Sequence, residues 1–158
     1  MGYLFYSDMM IDSKTIKITL TSKSDAAEFL KLESKCFEMD ENLETMYYWV
    51  PLLEYSYCYK AEISSCGIVG GIISMPTRDD SWYINSLFVH PDFRKEKIAT
   101  KLLKQVINGC AKGKTIYLEH KTYKPHLLEF YKKHGFTFIQ RSNNYFSDGD
   151  DRFMLARY

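Results

Sequence analysis

Over residues 14–20 the apolar side chains Ile16, Ile18 and Leu20 alternate with polar neighbours, the period of two that predicts a half-buried strand. Ser24 and Asp25 then open a helix predicted to run to Cys36, with Ala26, Ala27, Phe29, Leu30 and Leu32 as its apolar positions. Residues 41–49 predict a second, short helix, stopped near Pro51 because proline lacks the N–H that the next turn needs. Residues 55–63 and 68–75, separated by Ser64-Ser65-Cys66-Gly67, predict a hairpin. Trp82–Val89 is a nearly continuous apolar run closed by Pro91, the pattern of a strand covered on both faces.

The second half alternates strand and helix. Ile98, Ala99, Leu102, Leu103, Val106, Ile107 and Cys110 recur at spacings of three and four, which predicts a helix over residues 94–111 ended by Gly113. Residues 115–120 predict a strand with Ile116 and Leu118 on one face and Tyr117 and Glu119 on the other. Pro125 starts a short helix that Gly135 stops. Residues 136–139 and 153–156 are the last two strands, joined by a polar loop over residues 141–151. The order β α α β β β α β α β β shows no linker or repeat, and 158 residues suit one domain spanning residues 1–158. The strand–helix–strand unit over residues 82–120 demands a right-handed crossover with parallel pairing, so the fold class is mixed α/β.

Composition narrows the classes of function. The chain is 46% hydrophobic and 26% charged with 8 Gly and 4 Pro, which excludes a disordered or collagenous chain. Lys and Arg number 21 against 20 acids, so no global field favours nucleic acid or an anionic membrane. Four cysteines without a C-x-x-C pair predict reduced thiols and a cytoplasmic protein, with a Cys58–Cys66 bridge across the hairpin as the alternative. The N-terminus lacks the basic and apolar regions of a secretory signal, and the longest apolar run, residues 67–76, is half the ~20 residues of a membrane span.

Several motif matches fail on context. Gly109, Gly113, Lys114 and Thr115 mimic a phosphate loop, but a helix precedes them and a strand follows, the reverse of what that motif requires. Neither H-E-x-x-H nor G-x-S-x-G occurs, and no metal set is expected. Gly67, Gly70 and Gly71 predict turn and strand-packing positions. Cys110 is expected in the core, and His90, His120, His126 and His134 as surface or capping groups.

The informative segment is Asn85-Ser86-Leu87-Phe88-Val89-His90-Pro91-Asp92-Phe93-Arg94-Lys95-Glu96-Lys97-Ile98-Ala99-Thr100, a strand, a tight turn and a helix start. A helix N-terminus with Arg94, Lys95 and Lys97 crowded onto it suits a pyrophosphate. The segment resembles the acetyl-CoA signature Q/R-x-x-G-x-G/A of the GNAT superfamily of N-acetyltransferases: Arg94 matches its first position, Ala99 its last, and Lys97 stands at the middle glycine. Leu118-Glu119 and Tyr131-Lys132-Lys133-His134-Gly135-Phe136 resemble the family's second half, with Lys124 where an asparagine is common. Residues 33–37 and 144–151 are similar to the branch containing the ribosomal-protein alanine acetyltransferases.

That resemblance implies a mixed, mostly antiparallel sheet with a central parallel splayed pair and flanking helices. It implies an acetyl-CoA-dependent N-acetyltransferase working by direct attack on a primary amine, whether a protein N-terminus, a lysine or a small amine. A non-catalytic CoA-binding or regulatory module is the alternative, suggested by Lys97 and Lys124. Carried over by position, Glu119 is the base and Tyr131, twelve residues on, the acid. From the residues alone, the alternative for Glu119 is a solvent-facing strand carboxylate and for Tyr131 a packing residue capped by a hydrogen bond. The implied cofactor set is Leu87, Phe88, Val89, Arg94, Lys95, Glu96, Lys97, Ile98, Ala99, Thr100 and Lys124. Leu87 and Val89 would act through backbone groups, and Lys97 would serve with its backbone helical, its ammonium then adding a phosphate contact. Tyr48, Asn85 and Tyr145 are the candidate acceptor-binding residues; Tyr47, Trp49, Tyr55 and Tyr57 are further aromatics for a cleft wall or the core. Residues 94–133 hold 11 bases and 3 acids, residues 24–62 hold 9 acids and 3 bases, a division suited to CoA phosphates on one side and a cationic amine on the other. The expected partners are a peptide or small-molecule acceptor, with no nucleic acid or membrane, for a monomer or homodimer.

Overall fold

A computed structural model describes residues 16–37 and 46–158. The elements are β1 (Ile16–Leu20), α1 (Ala26–Phe37), α2 (Met46–Tyr55), β2 (Tyr57–Ile63), β3 (Gly67–Pro76), β4 (Trp82–Val89), α3 (Ile98–Gln105), β5 (Ile116–Lys121), α4 (Pro125–Lys133), β6 (Thr137–Ser142) and β7 (Arg152–Arg157). The expected first-strand residues 14 and 15, and residues 41–45 of the expected second helix, lie outside the described residues.

The strands form one seven-stranded sheet in the order β1-β2-β3-β4-β5-β7-β6, antiparallel except for the parallel β4–β5 pair. Two layers cover it. Ala26, Phe29 and Leu32 of α1 and Leu53 of α2 pack on Cys58, Ile73 and Phe88; Ile98, Leu102 and Leu103 of α3 and Tyr131 of α4 pack on Ile72, Ile84, Leu118 and Leu155 across the opposite face. Neighbours such as Ile72 and Ile73 therefore serve different cores, as the pleat requires. Where α1 presses closest, a Cβ on Gly71 would lie 2.3 Å from Phe29 Cζ and 2.7 Å from Phe88 Cζ, which is why only glycine fits.

Four expectations change. The β4 run is not covered on both faces along its length, since Asn85 is exposed. Its register against β3 slips between Ile73 and Ser74, leaving Asn85 as the extra residue of a bulge. Trp82 and Ile84 therefore face the α3–α4 core, whereas Phe88, of the same parity, faces α1. The apolar run is continuous because the strand changes sides midway.

The helix expected from residue 94 starts at Ile98, because Lys95 and Lys97 adopt left-handed backbone with φ of 70° and 60°. It runs to Gln105 and passes into a π turn over Val106–Cys110, whose Gly109 is non-helical. In the described part of α2 the helix continues through Pro51 to Tyr55, because Leu52 and Leu53 extend its apolar face and Leu53 is fully buried against α1. His120 is a core residue at 6% exposure, not a surface group. His90 and His134 do cap, His90 Nδ1 accepting from Asp92 N–H and His134 Nδ1 bonding the Phe130 carbonyl. All four cysteines are free thiols, with Cys58 in β2 opposite Ile73 and Cys66 in the hairpin turn. No helix among the described residues is long and apolar enough to cross a membrane.

Candidate active site

Parallel pairing between β4 and β5 covers three rungs, Trp82–Ile116, Tyr83–Tyr117 and Ile84–Leu118. Beyond them comes the Asn85 bulge, which twists the strand away. The strand ends Leu87–Val89 and Glu119–Lys121 consequently diverge, and a cleft of about 1010 Å³ opens at the carboxyl ends of the two parallel strands. That is where open α/β sheets place ligands.

The cleft is long and changes character along its length. At one end the ladder of α3 begins with Lys101 N–H donating to the Lys97 carbonyl, so the amides of Ile98, Ala99 and Thr100 are those an α-helix leaves without internal acceptors. The left-handed Lys95 and Lys97 turn the loop so that Arg94, Lys95, Lys97 and these amides face one concavity, with Lys124 across it at the start of α4. Helix dipole and ammonium groups act together there on an anion. Toward the split the lining becomes apolar: Leu87, Phe88 and Val89 from β4, and Leu127, Phe130 and Tyr131 from α4. The Val89 carbonyl accepts from Arg94 Nε at 3.4 Å and from Cys36 Sγ at 3.3 Å. Pyrophosphate at one end, a thin amide-bearing arm along a strand edge and a thioester at the split all match these surfaces, so the residues present fit acetyl-CoA.

Glu119 and Tyr131 reach the split from opposite faces of the sheet. Leu118 and Tyr131 belong to the same core, so Glu119 points the other way, toward the side bearing Tyr83. The Tyr83 hydroxyl donates to Glu119 Oε2. Burial raises the Glu119 carboxyl above the ordinary glutamate value, opposed by the Tyr83 hydrogen bond and by the charge of Arg152. Burial likewise raises the Tyr131 hydroxyl, with the Glu119 charge adding to it, so that phenol stays protonated. Its ring stacks near His120 at 6.1 Å and meets Phe136 edge-on at 5.6 Å. Burial lowers the pKa of His120, whose Nδ1 bonds the Lys121 carbonyl and whose buried Nε2 has no partner.

Of the expected cofactor set, every member except Glu96 lines the cleft. The helical backbone expected of Lys97 is not what the structure shows: Lys97 is left-handed, the conformation natural to a glycine at that position. Tyr131 lines the cleft; Glu119, Asn85, Tyr48 and Tyr145 lie outside that lining. Asn85 is the exposed bulge residue, Tyr48 stands exposed on α2, and Tyr145 on the β6–β7 loop lies close enough to Tyr83 to influence its ionisation. Sequence reasoning missed Tyr83, Arg152 and the end of α1, where Lys35, Cys36 and Phe37 join the cleft wall. For Tyr83 a signal existed: it shares a face with Glu119 one rung before the strands part. For α1 the similarity of residues 33–37 to an acetyltransferase branch was a signal, but which wall they form depends on tertiary packing.

Residues 54–138, just over half of the chain, match the acetyltransferase (GNAT) domain, and the protein belongs to that family. An N-alpha-acetyltransferase of Saccharolobus solfataricus is 23% identical over 133 residues, which covers 75% of this chain and 80% of the relative. The ribosomal-protein-S18-alanine N-acetyltransferase of Escherichia coli superposes with a TM-score of 0.76 at 15% identity, over 90% of this chain and 92% of that one. Arabidopsis thaliana Naa50, solved with the bisubstrate analogue CoA-Ac-MVNAL, gives 0.76 at 20% identity over 91% and 99%. The protein is an N-acetyltransferase, and acetyl-CoA is its co-substrate.

Proposed function

We propose that this enzyme acetylates the α-amino group of a peptide or protein N-terminus, with Glu119 as the base and Tyr131 as the proton holder at the sulfur. The observation that carries the reading is the opposed placement of these two groups at one split in the sheet. Bound acetyl-CoA supplies an activated acetyl group as a thioester. Arg94, Lys95, Lys97 and the first amides of α3 hold its phosphates, and the β4 edge holds its arm. On the opposite face, Glu119 and the Tyr83 hydroxyl receive the amine and its proton.

Magnitudes favour an α-amine. A protein N-terminus has pKa ~7.7 to 8.0 and a lysine ~10.4, a gap of about 2.5, or roughly 3.4 kcal/mol of deprotonation. A carboxylate base is adequate for the former and poor for the latter. The names of the relatives point the same way, and so does the peptide portion of the analogue bound to Naa50. At the leaving group, a tyrosine near pKa ~10 opposes a thiol near ~8.5, so transfer is uphill by roughly 2 kcal/mol before the site tunes either group. Tyr131 therefore acts by hydrogen-bonding sulfur as charge develops there.

Free-thiol release across an acceptor panel tests the proposal: peptides of varied first residue, the same peptides N-terminally blocked but carrying lysine, and small amines. Release with free N-termini and none with blocked peptides is expected; preference for lysine or a small amine overturns it. Glu119→Gln should lose most activity at low pH and recover it as rising pH deprotonates the amine without help.

A further inference from the structure

One buried cation holds the loop between β6 and β7. Arg152 opens β7 with its side chain 7% exposed; its Nη2 donates to Asp148 Oδ2 at 2.5 Å, and its Nη1 lies 3.9 Å from Asp150 Oδ2. The guanidinium also stands over the Phe146 ring, 5.3 Å from its centroid. Three loop residues thus converge on it, while Lys121 of β5 bonds Asp150 at 2.7 Å.

The strand register brings this cluster to the base. Lys121 pairs with Arg152 and Glu119 with Met154, so Arg152 and Glu119 are diagonal neighbours on one face of adjacent strands. Tyr83 from β4 donates to Glu119, Arg152 from β7 acts on it by charge, Lys121 shares its face along β5, and Tyr131 acts from α4 across the sheet; in the next layer Tyr145 lies by Tyr83, Asp148 on Arg152, and Asp150 on Lys121. Only Arg152 both carries a buried positive charge and grips the loop.

From this arrangement we infer that Arg152 is a positioning residue that couples the β6–β7 loop to Glu119: one guanidinium holds Phe146, Asp148 and Asp150 and stands diagonally beside the Glu119 carboxylate. The inference rests on Glu119 being the base. An amine that settles against Tyr145 settles against a loop whose anchor also sets the readiness of that carboxylate.

The test combines the carboxyl-carbon titration of Glu119, followed by NMR without substrates, with acceptor KM and acetyl-CoA Kd. Arg152→Gln should move the Glu119 titration alkaline by about one pH unit, the scale of a lost adjacent opposite charge. It should also raise acceptor KM by about tenfold, as expected for one lost charge-assisted hydrogen bond, and leave acetyl-CoA Kd unchanged. Asp148→Asn frees the loop but leaves the cation less compensated, so KM should rise while the titration moves in the acid direction. A residue that merely loosens the structure moves both titrations the same way. That result overturns the inference, and so does an unmoved titration in a folded Arg152→Gln protein. If Arg152→Gln does not fold, Arg152→Lys, which keeps the charge but loses the fork, should raise KM with the titration held near wild type; a normal KM there overturns it. If Glu119→Gln keeps the full pH dependence of kcat/KM, the base assignment fails, and the carboxyl titration still decides the coupling.

Discussion

Glu33 offers a stability test whose sign and size follow from its surroundings. It sits on α1 at 8% exposure, with Oε1 accepting from Ser86 Oγ at 2.9 Å beside the β4 bulge. Burial pushes its carboxyl from an ordinary 4.5 up to about 6, with the Ser86 hydrogen bond opposing. Below the lower value both folded and unfolded chains hold the proton, and above the higher both have released it. Between them only the folded chain binds it, so the contribution present at low pH is lost as pH rises through the window. A gap of about 1.5 in pKa is worth about 2 kcal/mol. Glu33→Gln keeps an acceptor oxygen for Ser86 and the same shape but has nothing to ionise. Its stability relative to wild type should therefore improve by about 2 kcal/mol between roughly pH 4 and pH 7.5, or about 4 to 8 °C in Tm for a chain of this size. Urea unfolding of both proteins across that range measures the difference, in which the shared carboxylates cancel. A difference that stays constant with pH, or grows the other way, refutes the reasoning.

Lys97→Gly should stabilise the protein by about 1 kcal/mol by relieving left-handed backbone at φ 60°. It should also weaken acetyl-CoA a few-fold by removing a cation, opposite signs that thermal melts with and without ligand separate. Arg94→Ala should weaken acetyl-CoA by roughly 1.5 to 3 kcal/mol in calorimetry while acceptor KM holds. In Tyr131→Phe, kcat should fall at least tenfold, a threshold set below the ~10² to 10⁴ typical of general acid catalysis, with Tm and acetyl-CoA Kd nearly unchanged. A near-normal kcat would make Tyr131 a packing residue.

Period two located Ile16–Leu20 and Ile116–Lys121, turn residues located the hairpin of Tyr57–Ile63 and Gly67–Pro76, and β6 runs to Ser142, three residues past its expected end. The apolar run misjudged β4 because a bulge shifts parity without changing composition: Ile84 and Leu87 share a core although they stand an odd number of positions apart. Helix starts failed for a related reason, as the pattern marks the apolar face of α3 but not the left-handed pair before it. At the site, Arg94, Lys97 and Tyr131 were legible because each sits in a contiguous motif. Arg152 was not, since its partners Asp148 and Asp150 belong to the polar loop beside it, and only the β5–β7 register reveals that this loop adjoins Glu119.

The bulge at Asn85 also supports the proposed direct attack. Once β4 turns away, the residue following the last paired rung on β5 is Glu119, and it borders an opening instead of a strand. A group lying in that opening is reached from one face by Glu119 and Tyr83 and from the other by Tyr131. In the proposed mechanism, amine and sulfur then occupy opposite sides of the acetyl carbon, Glu119 beside the amine and Tyr131 beside the sulfur. The thiol that lines the cleft is poorly suited to carry the acetyl group itself. Burial raises the pKa of Cys36 despite nearby Arg94, and its Sγ donates to the Val89 carbonyl, which ties the hydrogen to the strand. A protonated, strand-bound thiol argues against an acyl-enzyme on Cys36 and supports the proposed direct transfer between two bound substrates.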